Sequence, residues 1–528
     1  MGVSDPKIAE RPTGKIADKG VAEARRPKSD SLAANPLTDT LPPGPLSIEE
    51  AAAKIREASA SYAETKDAYR QKMLEILGAV RADPSMINKI LFKIWAKDDR
   101  YDRHMERTGH DDAVGNLLAQ IAILDRLYAP YGERIIGDRI LEMSCGTGTV
   151  IKRLCDTLPR RRVGKLYIVG NDVSQDMKDI AREKLKELPC PVRFTCHDMR
   201  RWPPDPRMRL REGSVDTDLD SQSTHLIANE EALREEQEGS CRIGGEDRHI
   251  EEKANFTRNG FRLLRDNGVY IKIDEWPAVL SEPENMIDPI EEAIAYLFNR
   301  TFKPIERDQL RERVMKAIPE ARFLAELKVP IWSSNGTTHM MYAHIFRKDL
   351  GKASRINEER LLPLGPEYEE MRMRAIRRVV EAFTEIDETV RNGFTPPQCC
   401  ASRWIKFRPI TEGPTWEYGE DTVLSSTKRY NLVVLPGVVN RMNPSELRMM
   451  LESAVDSLRI GGALLVIDEW KVTPGMAGTN GGHIRKSDFR DGIARQFGNK
   501  LIFAGALRVP IHPDYDSGMY GYLWRKIG

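Results

Sequence analysis

The stretch from Leu141 to Gly148, LEMSCGTG, places a carboxylate just ahead of a glycine-containing turn. A short apolar segment precedes the stretch, and helix-like sequence follows it. Because glycine has no Cβ, a turn of this kind between a strand and a helix lets the backbone approach a ligand closely. In open α/β sheets, ligands bind at the carboxyl ends of the strands. The turn therefore predicts a nucleotide-like ligand.

Three carboxylates are predicted at the same edge of the sheet. Glu142 ends the first predicted strand, Asp172 follows the second in IVGNDVS, and Asp198 follows the third in FTCHDMR. A carboxylate after the second strand suits ribose hydroxyls. One after the third suits the adenine amino group, which is a hydrogen-bond donor. The pattern predicts adenosine without a pyrophosphate, whereas a dinucleotide site favours a third glycine where this chain has Ile151.

Alternating strand-like and helix-like segments must position these residues. A helix is predicted from Ser47, with Glu50 completing a capping box. After Gly137 we predict the strands RILEMS, KLYIVGND, VRFTCHD, THLIAN, GVYIKIDEW, FLAELKVPI and MYAHIFRK. Such alternation predicts an α/β fold with a largely parallel sheet. The last two strands are too close in sequence for a crossover helix, so we expect them to be antiparallel.

These motifs together resemble class I S-adenosylmethionine-dependent methyltransferases. LEMSCGTGTV resembles the first motif of that family, VGNDVSQDMKDIAREKL the second and VRFTCHDMRRW the third, over residues 138 to about 348. The resemblance implies a Rossmann-like, seven-stranded sheet that is mostly parallel with an antiparallel last strand. It also implies S-adenosylmethionine as cofactor. The preceding segment WAKDDRYDRHMERTGH resembles the helical cap of many small-molecule methyltransferases.

The resemblance also assigns roles to residues. It implies that Gly146 and Gly148 face the methionine portion, that Asp172 binds the ribose, and that Asp198 and Met199 bind the adenine. Glu142 is expected to act through water or on the methionine amino group. Ser144 replaces the first glycine of the family motif, and a serine fits there if its φ is negative. The expected cofactor-binding residues are Glu142, Ser144, Gly146, Gly148, Asp172, Val173, Asp198 and Met199.

Methyl transfer is an in-line displacement, so the protein has to align an acceptor, exclude water and sometimes remove a proton. The candidates for catalysis are Glu230, Tyr101 and His110. Other candidates at strand ends and in the cap are Asn229, Asp274, Glu275, Trp276 and His104. The triplet Asp274–Trp276 recurs at 468–470, which favours a structural role for it. The sequence predicts no metal site.

The later part of the chain resembles the earlier part. YNLVVLPGVVNR resembles THLIANEEALR, GGALLVIDEWKV resembles NGVYIKIDEWPA, and ALRVPIHPDYDSGMYGYLWRK resembles ELKVPIWSSNGTTHMMYAHIFRK. Three matches in the same order indicate internal duplication. We find no counterpart of LEMSCGTG between Leu350 and Tyr430, so the repeat is predicted to be incomplete and degenerate. The predicted units are a disordered tail (1–46), a helical cap (47–136), a methyltransferase domain (137–349), a helical connector (350–394) and an incomplete α/β half-domain (395–528).

Composition limits the partners that we expect. The 528 residues include 81 basic and 80 acidic side chains, a net charge of +1, so no global charge favours nucleic acid or a membrane surface. The seven cysteines form no C-x-x-C pair, and we expect reduced thiols in a cytoplasmic protein. We therefore expect a small-molecule methyltransferase, with a homo-oligomer possible through the C-terminal half-domain. The alternatives are a protein or RNA methyltransferase and a catalytically inactive scaffold.

Overall fold

The computed structural model describes most of the chain. The described residues are 46–60, 66–80, 84–204, 206, 210–240, 244–276, 290, 293–294, 297, 303, 310–332, 338–350, 366–392, 413–418, 424, 429–439, 441–469, 486–511 and 518–527. The predicted tail lies outside these residues except at its last position. Much of the predicted connector and the segment 470–485 also lie outside them.

Twelve strands in the described ranges form one mixed sheet. They are β1 (Arg139–Glu142), β2 (Tyr167–Asn171), β3 (Val192–Thr195), β4 (Val215–Ser221), β5 (Leu264–Trp276), β6 (Ala321–Trp332), β7 (Thr338–Lys348), β8 (Thr415–Glu417), β9 (Tyr430–Pro436), β10 (Leu458–Glu469), β11 (Leu501–Pro510) and β12 (Gly518–Lys526). Their order in the sheet is β3-β2-β1-β4-β5-β7-β6-β11-β12-β10-β9-β8.

The first seven strands have the predicted Rossmann-like arrangement. Strands β3, β2, β1, β4 and β5 are parallel neighbours, and β7 is antiparallel to both β5 and β6. The α/β fold class and the antiparallel last strand are therefore confirmed. The sheet itself is larger than the predicted seven strands, because β11 pairs with β6 and continues it.

The fourth strand was predicted at the wrong place. The strand is Val215–Ser221, whereas THLIAN contains a short 3-10 helix at Thr224–Leu226 and the loop after it. The segment VDTDLDS alternates in a strand-like way, but its three aspartates are typical of turns. Asp218 and Asp220 are nevertheless buried within the sheet. Asp220 contacts Tyr270 and Lys272, which lie far away in sequence, and such contacts are not shown by local patterns.

The five C-terminal strands repeat the order of five N-terminal ones. The order β8-β9-β10-β12-β11 has the same parallel and antiparallel relations as β1-β4-β5-β7-β6. The sequence comparison found no counterpart of LEMSCGTG before Tyr430, but the structure adds a short strand there, because β8 pairs with β9 as β1 pairs with β4. By this register Glu417 takes the position of Glu142. The strand was missed because it is only three residues long.

Helices cover both faces of this sheet, and the N-terminal helices form a separate cap. They are α1 (Ile48–Ala60), α2 (Lys66–Ala79), α3 (Pro84–Trp95), α4 (Arg100–Arg107), α5 (His110–Tyr128), α6 (Thr149–Thr157), α7 (Arg160–Val163), α8 (Gln175–Lys184), α9 (Glu230–Gln237), α10 (Gly245–Leu263), α11 (Pro366–Asn392), α12 (Pro444–Ser457) and α13 (Lys486–Phe497). The predicted capping box at the start of α1 is present, with Ser47 N donating to Glu50 Oε2 at 2.8 Å.

The two faces of the sheet differ in whether one apolar cluster spans both halves of the chain. On one face, a single apolar cluster extends from α5 and α6 to α11 and the C-terminal strands. On the other face, α10 and α12 each cover a separate cluster. A fourth cluster joins α1, α2 and α3 and contacts α8 through Met177. These helices of the cap therefore sit over the end of the sheet where the glycine turn lies.

Candidate active site

The glycine turn between β1 and α6 has the backbone that its sequence predicts. Gly146 and Gly148 have φ values of 49° and 80°, in the left-handed region that favours glycine. Ser144 is not one of the four described non-glycine residues with positive φ, so a serine is tolerated there. The amide of Gly146 donates to Asp172 Oδ2 at 2.9 Å. The turn is thus tied to the end of β2.

Only one of these two glycines has open space beside it. A Cβ on Gly146 would find its nearest neighbour, Cε1 of Tyr101, at 4.0 Å, so the space above it is open. A Cβ on Gly148 would lie 2.8 Å from Leu185 Cδ1 and 3.2 Å from Ala181 Cβ. That Gly148 faces a ligand stays a prediction, and the structure shows a packing role for it. Its lack of a side chain allows α8 to pack closely against the start of α6.

Asp172 accepts two backbone hydrogen bonds. Its donors are the amides of Gly146 at 2.9 Å and Ser174 at 2.8 Å. Burial raises the pKa of Asp172 to about 6, although these two amides act in the opposite direction. The neighbouring Val173 is 43% exposed, and its side chain lines the cavity. The end of β2 thus presents a carboxylate beside an uncovered apolar surface.

Glu142 is fully buried at the end of β1. Neither of its carboxyl oxygens has a hydrogen-bond partner among the described residues. Burial raises its pKa well above the usual range, and the charges of Asp172 and Asp220 raise it further. Buried polar atoms are normally hydrogen-bonded. An unpartnered carboxyl beside the glycine turn is therefore suited to a donor that belongs to a ligand.

Asp198 lines the cavity but is paired with an arginine. The Arg200 guanidinium donates to its carboxylate from Nε at 3.0 Å and from Nη2 at 2.8 Å. Burial acts to raise the pKa of Asp198, but the hydrogen bonds and charge of Arg200 outweigh it and the pKa is lowered. Arg200 also contacts Glu230 Oε1 at 3.2 Å. Glu230, a sequence-predicted catalytic candidate, therefore lies at the cavity with its carboxylate already paired.

A cavity of about 430 Å³ lies at the carboxyl ends of β1, β2, β4 and β5. This volume is within the range of small-molecule and cofactor sites. It brings together most of the predicted cofactor residues, namely Ser144, Gly146, Asp172, Val173, Asp198 and Met199. Glu142 lines a smaller adjoining cavity that shares Ser144 and Gly146 with the first. Gly148 lines neither.

The cap closes the cavity with aromatic side chains. Trp95 at the end of α3 packs against Tyr101 and His104 of α4, with ring centroids 5.2 and 5.8 Å apart. Burial lowers the pKa of His104 to about 4, so its imidazole is neutral near pH 7. Asp102 fastens this helix to the turn, because it accepts a hydrogen bond of 2.6 Å from Thr147 Oγ1 and pairs with Lys184.

Two adjacent carboxylates at the end of β5 each contact a histidine that lines the cavity. Glu275 Oε2 lies 3.0 Å from Nε2 of His110 on α5. Asp274 Oδ1 lies 3.2 Å from Nδ1 of His225, in the segment after β4. Successive residues of a strand point to opposite faces. The two histidines are therefore held on opposite sides of β5, and Tyr101 and His110 are both at the site.

Sequence reasoning missed the residues that follow β4. Ser221, Gln222, Ser223 and His225 line the cavity, but the sequence suggested no role for them, and His225 was placed in the predicted strand THLIAN. The alternation in VDTDLDS was the signal that could have placed them after a strand end. Asn229 caps α9 by accepting from the amide of Ala232 at 2.9 Å, which is a structural role. Trp276 ends β5.

Residues 140–238 match a family model described as a methyltransferase domain. This segment is a methyltransferase domain. The match includes the glycine turn, Asp172, Asp198 and the segment after β4. The chain thus carries the domain of a class I S-adenosylmethionine-dependent methyltransferase, an enzyme whose cofactor is S-adenosylmethionine. In the part of the chain that the structure describes, no group of three His, Cys, Asp or Glu side chains is arranged to hold a metal ion.

Solved structures similar to this chain include several methyltransferases. One is the CurJ carbon methyltransferase, with 12% identity over 57% of this chain and 67% of that chain and a TM-score of 0.32. Another is the plantazolicin methyltransferase BpumL in complex with SAH, with 13% identity, 50% and 95% coverage and a TM-score of 0.33. A third is an S-adenosylmethionine-dependent methyltransferase from Clostridium acetobutylicum, with 10% identity, 44% and 91% coverage and a TM-score of 0.27. No curated protein matches the sequence.

The residues of the site fit this cofactor in three respects. The space above Gly146 is open, the two oxygens of Glu142 are buried without a partner, and Val173 is uncovered at the cavity wall. Each feature suits a ligand that brings polar donors and an apolar ring. None of the helices described here is both long enough and apolar enough to cross a bilayer.

Proposed function

We propose that this methyltransferase domain acts on a small molecule whose reactive atom enters the cavity beneath α3, α4 and α5. The observation that carries the proposal is the aromatic wall of the cavity, which is formed by Trp95, Tyr101 and His104 in contact with one another. An aromatic cover excludes water and leaves little room for a folded macromolecule. The even balance of basic and acidic residues gives no support to a nucleic-acid acceptor.

We assign the cofactor to the residues that the family resemblance indicates, except Gly148. Gly146, Ser144 and Glu142 would hold the methionine portion, and Asp172 would accept hydrogen bonds from the ribose. Val173, Asp198 and Met199 would contact the adenine. When bound, S-adenosylmethionine supplies an electrophilic methyl group and leaves as S-adenosylhomocysteine. The protein has to orient the acceptor and accept its proton.

We propose Glu275 as the group that accepts this proton, with His110 as its positioning partner. Thr108 Oγ1 donates to the carbonyl of His104 at 2.7 Å and lies 2.7 Å from His110 Nδ1. Since the hydroxyl hydrogen is used on the carbonyl, Nδ1 of His110 donates to Thr108. Nε2 lies 3.0 Å from Oε2 of Glu275 and holds that carboxylate beside the cavity. A second carboxylate lone pair is available to an acceptor.

The test uses the whole chain with S-adenosylmethionine labelled in its methyl group. Low-molecular-mass extracts, intact proteins and RNA are offered separately as acceptors, and we expect label only in the low-molecular-mass pool. Glu275→Gln should slow this transfer at least about a hundredfold, the usual size of a proton-transfer contribution. Its affinity for S-adenosylhomocysteine should stay within about threefold of wild type, because Glu275 is not assigned to the cofactor.

The C-terminal half supplies a matched control. Glu469 in the IDEW of β10 corresponds to Glu275 in the IDEW of β5, and it accepts a hydrogen bond from Tyr368 of α11. Glu469→Gln should leave methyl transfer unchanged. Label recovered only in protein or RNA would contradict a small-molecule acceptor. Equal loss in both variants would contradict the role of Glu275.

A further inference from the structure

The C-terminal half allows a position-by-position comparison with the methyltransferase half. Val269 of β5 pairs with Thr217 of β4, and Ala463 of β10 pairs with Leu432 of β9. The sequences LRDNGVYIKIDEW and LRIGGALLVIDEW align without a gap from the first residue of each long strand. The preceding helices, α10 and α12, run directly into these strands, so the alignment extends into them.

Local geometry supports this alignment. Lys348 donates to the carbonyl of Leu264 at 2.8 Å, and Lys526 donates to that of Leu458 at 2.9 Å. The amide of Gln222 donates to Ile273 O at 2.8 Å, and that of Gly437 donates to Ile467 O at 2.7 Å. The second pair shows that YNLVVLP matches VDTDLDS, and not THLIANEEALR as the sequence comparison predicted. The two halves are therefore compared at equivalent positions.

Between β4, β5 and α10, the methyltransferase half buries a polar face. Asp220 accepts from Tyr270 OH at 2.5 Å and from Thr224 Oγ1 at 3.0 Å, and it also contacts Ser223 Oγ. Lys272 lies between two carboxylates, 3.2 Å from Asp220 Oδ1 and 3.0 Å from Asp274 Oδ2. All of these side chains are buried.

Two further buried residues belong to this polar face. Lys253 of α10 donates to the carbonyl of Thr224 at 2.7 Å and also to that of Ile227. Asp218 has no hydrogen-bond partner among the described residues, and burial raises its pKa well above the usual range. The presence of Asp218 requires glycine at position 260, because a Cβ on Gly260 would lie 2.2 Å from Oδ2 of Asp218.

The equivalent face of the C-terminal half is apolar. The replacements are Asp218 by Val433, Asp220 by Leu435, Lys253 by Leu447, Thr257 by Leu451, Gly260 by Ala454, Tyr270 by Leu464 and Lys272 by Val466. All seven C-terminal residues are buried in one apolar cluster. This part of the fold therefore forms with an apolar face in one half and a polar face in the other.

Burying charged groups in this way is costly unless they serve a purpose other than folding. A buried ion pair is often no more stabilising than apolar residues of similar volume. An unpartnered buried carboxyl such as Asp218 adds a further cost. Because the C-terminal half shows that the strand and helix geometry does not need these groups, the polar face is explained by its neighbours at the cavity.

Those neighbours are the residues after β4. The segment 221–228 lines the cavity over its whole length apart from Thr224. Asp220 holds the side chains of Ser223 and Thr224, and Lys253 holds the backbone of Thr224 and Ile227. Lys272 holds Asp274, which contacts His225. Apart from the hydrogen bond between Tyr270 and Asp220, the contacts of these three charged residues lead to this segment, either directly or through Asp274 and His225.

We propose that Asp220, Lys253 and Lys272 are positioning residues for methyl transfer, which fix the segment 221–228 in the shape that receives the cofactor. The proposal rests on the cofactor site assigned above, because Ser221 and Gln222 line the smaller cavity together with Glu142, Ser144 and Gly146. The C-terminal half then represents the fold with an apolar face, and the methyltransferase half has the same fold with a polar face added. Residues that are polar in both halves, such as Lys348 and Lys526, belong instead to the common structural framework.

The test gives the methyltransferase half the apolar face of its counterpart. One variant carries D218V, D220L, K253L, G260A, Y270L and K272V. The variant removes Asp220 and Lys272 together and leaves Asp274 with its contact to His225, as the C-terminal half keeps Asp468 two positions after Val466. We therefore expect its thermal midpoint to equal or exceed that of wild type. We expect its dissociation constant for S-adenosylhomocysteine, measured by calorimetry, to rise at least tenfold. A merely structural role would lower stability and affinity together.

Two further variants keep the test decisive. Lys348→Met removes a framework residue and should lower the thermal midpoint while S-adenosylhomocysteine affinity stays within about threefold. The double variant S223A/T224V removes only the hold of Asp220 on the segment, and should weaken binding at least threefold without a change in stability. A folded six-site variant with wild-type affinity would overturn the proposal, and so would a six-site variant that fails to fold. If wild type itself binds no S-adenosylhomocysteine, the proposed cofactor site fails instead.

Discussion

The two halves of this chain share a strand order but differ at the edge where a cofactor would bind. In the methyltransferase half, β2 and β3 lie beside β1 and place Asp172 and Asp198 at the cavity. In the C-terminal half β8 is the last strand of the described sheet. Glu417 stands where Glu142 stands, but the described residues supply no counterpart of Asp172. The later strands therefore form a framework that persists without the adenosine-binding edge.

The junction between the halves shows how closely their geometries correspond. In the alignment of ELKVPI with ALRVPI, Glu326 and Ala506 are equivalent, and these two residues pair with each other across β6 and β11. Their neighbours pair reciprocally, with Leu327 opposite Gly505 and Ala325 opposite Leu507. Such reciprocal pairing is typical of a two-fold interface between identical subunits. Internal duplication stays a prediction, and this register supports it.

The largest effect is expected from breaking this junction. Ala506→Pro removes a ladder hydrogen bond in the middle of the sheet and leaves a buried carbonyl unsatisfied, which should cost about 1–3 kcal/mol. We expect one cooperative unfolding transition at a lower temperature, measured by circular dichroism and by S-adenosylhomocysteine binding on the same samples. Ala506→Gly keeps the amide and should cost only about 1 kcal/mol. Retained binding with separate melting of the C-terminal strands would show instead that the halves are independent.

The next effect concerns the carboxylate that has no C-terminal counterpart. Asp172→Ala should weaken S-adenosylhomocysteine binding about a hundredfold, or about 2.7 kcal/mol. The reason is that it removes both the acceptor for the Gly146 amide and the proposed acceptor for ribose hydroxyls. Glu417→Ala is the control at the equivalent edge of the other half, and its affinity should equal that of wild type. Equal weakening in both variants would contradict the single-site assignment.

The carboxylate of Asp172 should also make the affinity for S-adenosylhomocysteine depend on pH. Burial raises the pKa of Asp172 to about 6, so it is ionised above that pH and protonated below it. Only the ionised form accepts hydrogen bonds on both oxygens. Affinity for S-adenosylhomocysteine should therefore fall as the pH falls, by about tenfold between pH 7.5 and pH 5. The Asp172→Ala variant should lack this dependence in the same calorimetric titrations.

The sequence predicted the features that depend on neighbouring residues, and it missed those that depend on contacts between distant residues. The turn, Asp172 and the strands β5, β6 and β7 were predicted because each carries a pattern within a few residues. Strand β4 was missed because its buried Asp220 depends on Tyr270 and Lys272, 50 and 52 positions later. The contact of His110 with Glu275 spans 165 positions. Pairing of β6 with β11 has no local pattern, since any two edge strands present the same backbone groups.

The smallest effect is expected where the two halves use different residues for one backbone conformation. Gln222 has a φ of 51°, and its counterpart Gly437 has a φ of 70°. Left-handed backbone costs a residue with a side chain about 1 kcal/mol, and such strain is typical of functional sites. Gln222→Gly should therefore raise the free energy of unfolding in urea by about 1 kcal/mol or less. Because Gln222 lines the cavity, the same variant should bind S-adenosylhomocysteine more weakly than wild type.

The reverse substitution completes this pair. Gly437→Gln introduces a side chain in left-handed backbone, and its Cβ would lie 2.4 Å from Arg372 Nη2. It should lower the free energy of unfolding by more than the first variant raises it, with cofactor affinity unchanged. If Gln222→Gly instead lowers stability, the glutamine side chain stabilises the fold. The left-handed backbone at Gln222 would then be explained by side-chain packing and not by cofactor binding.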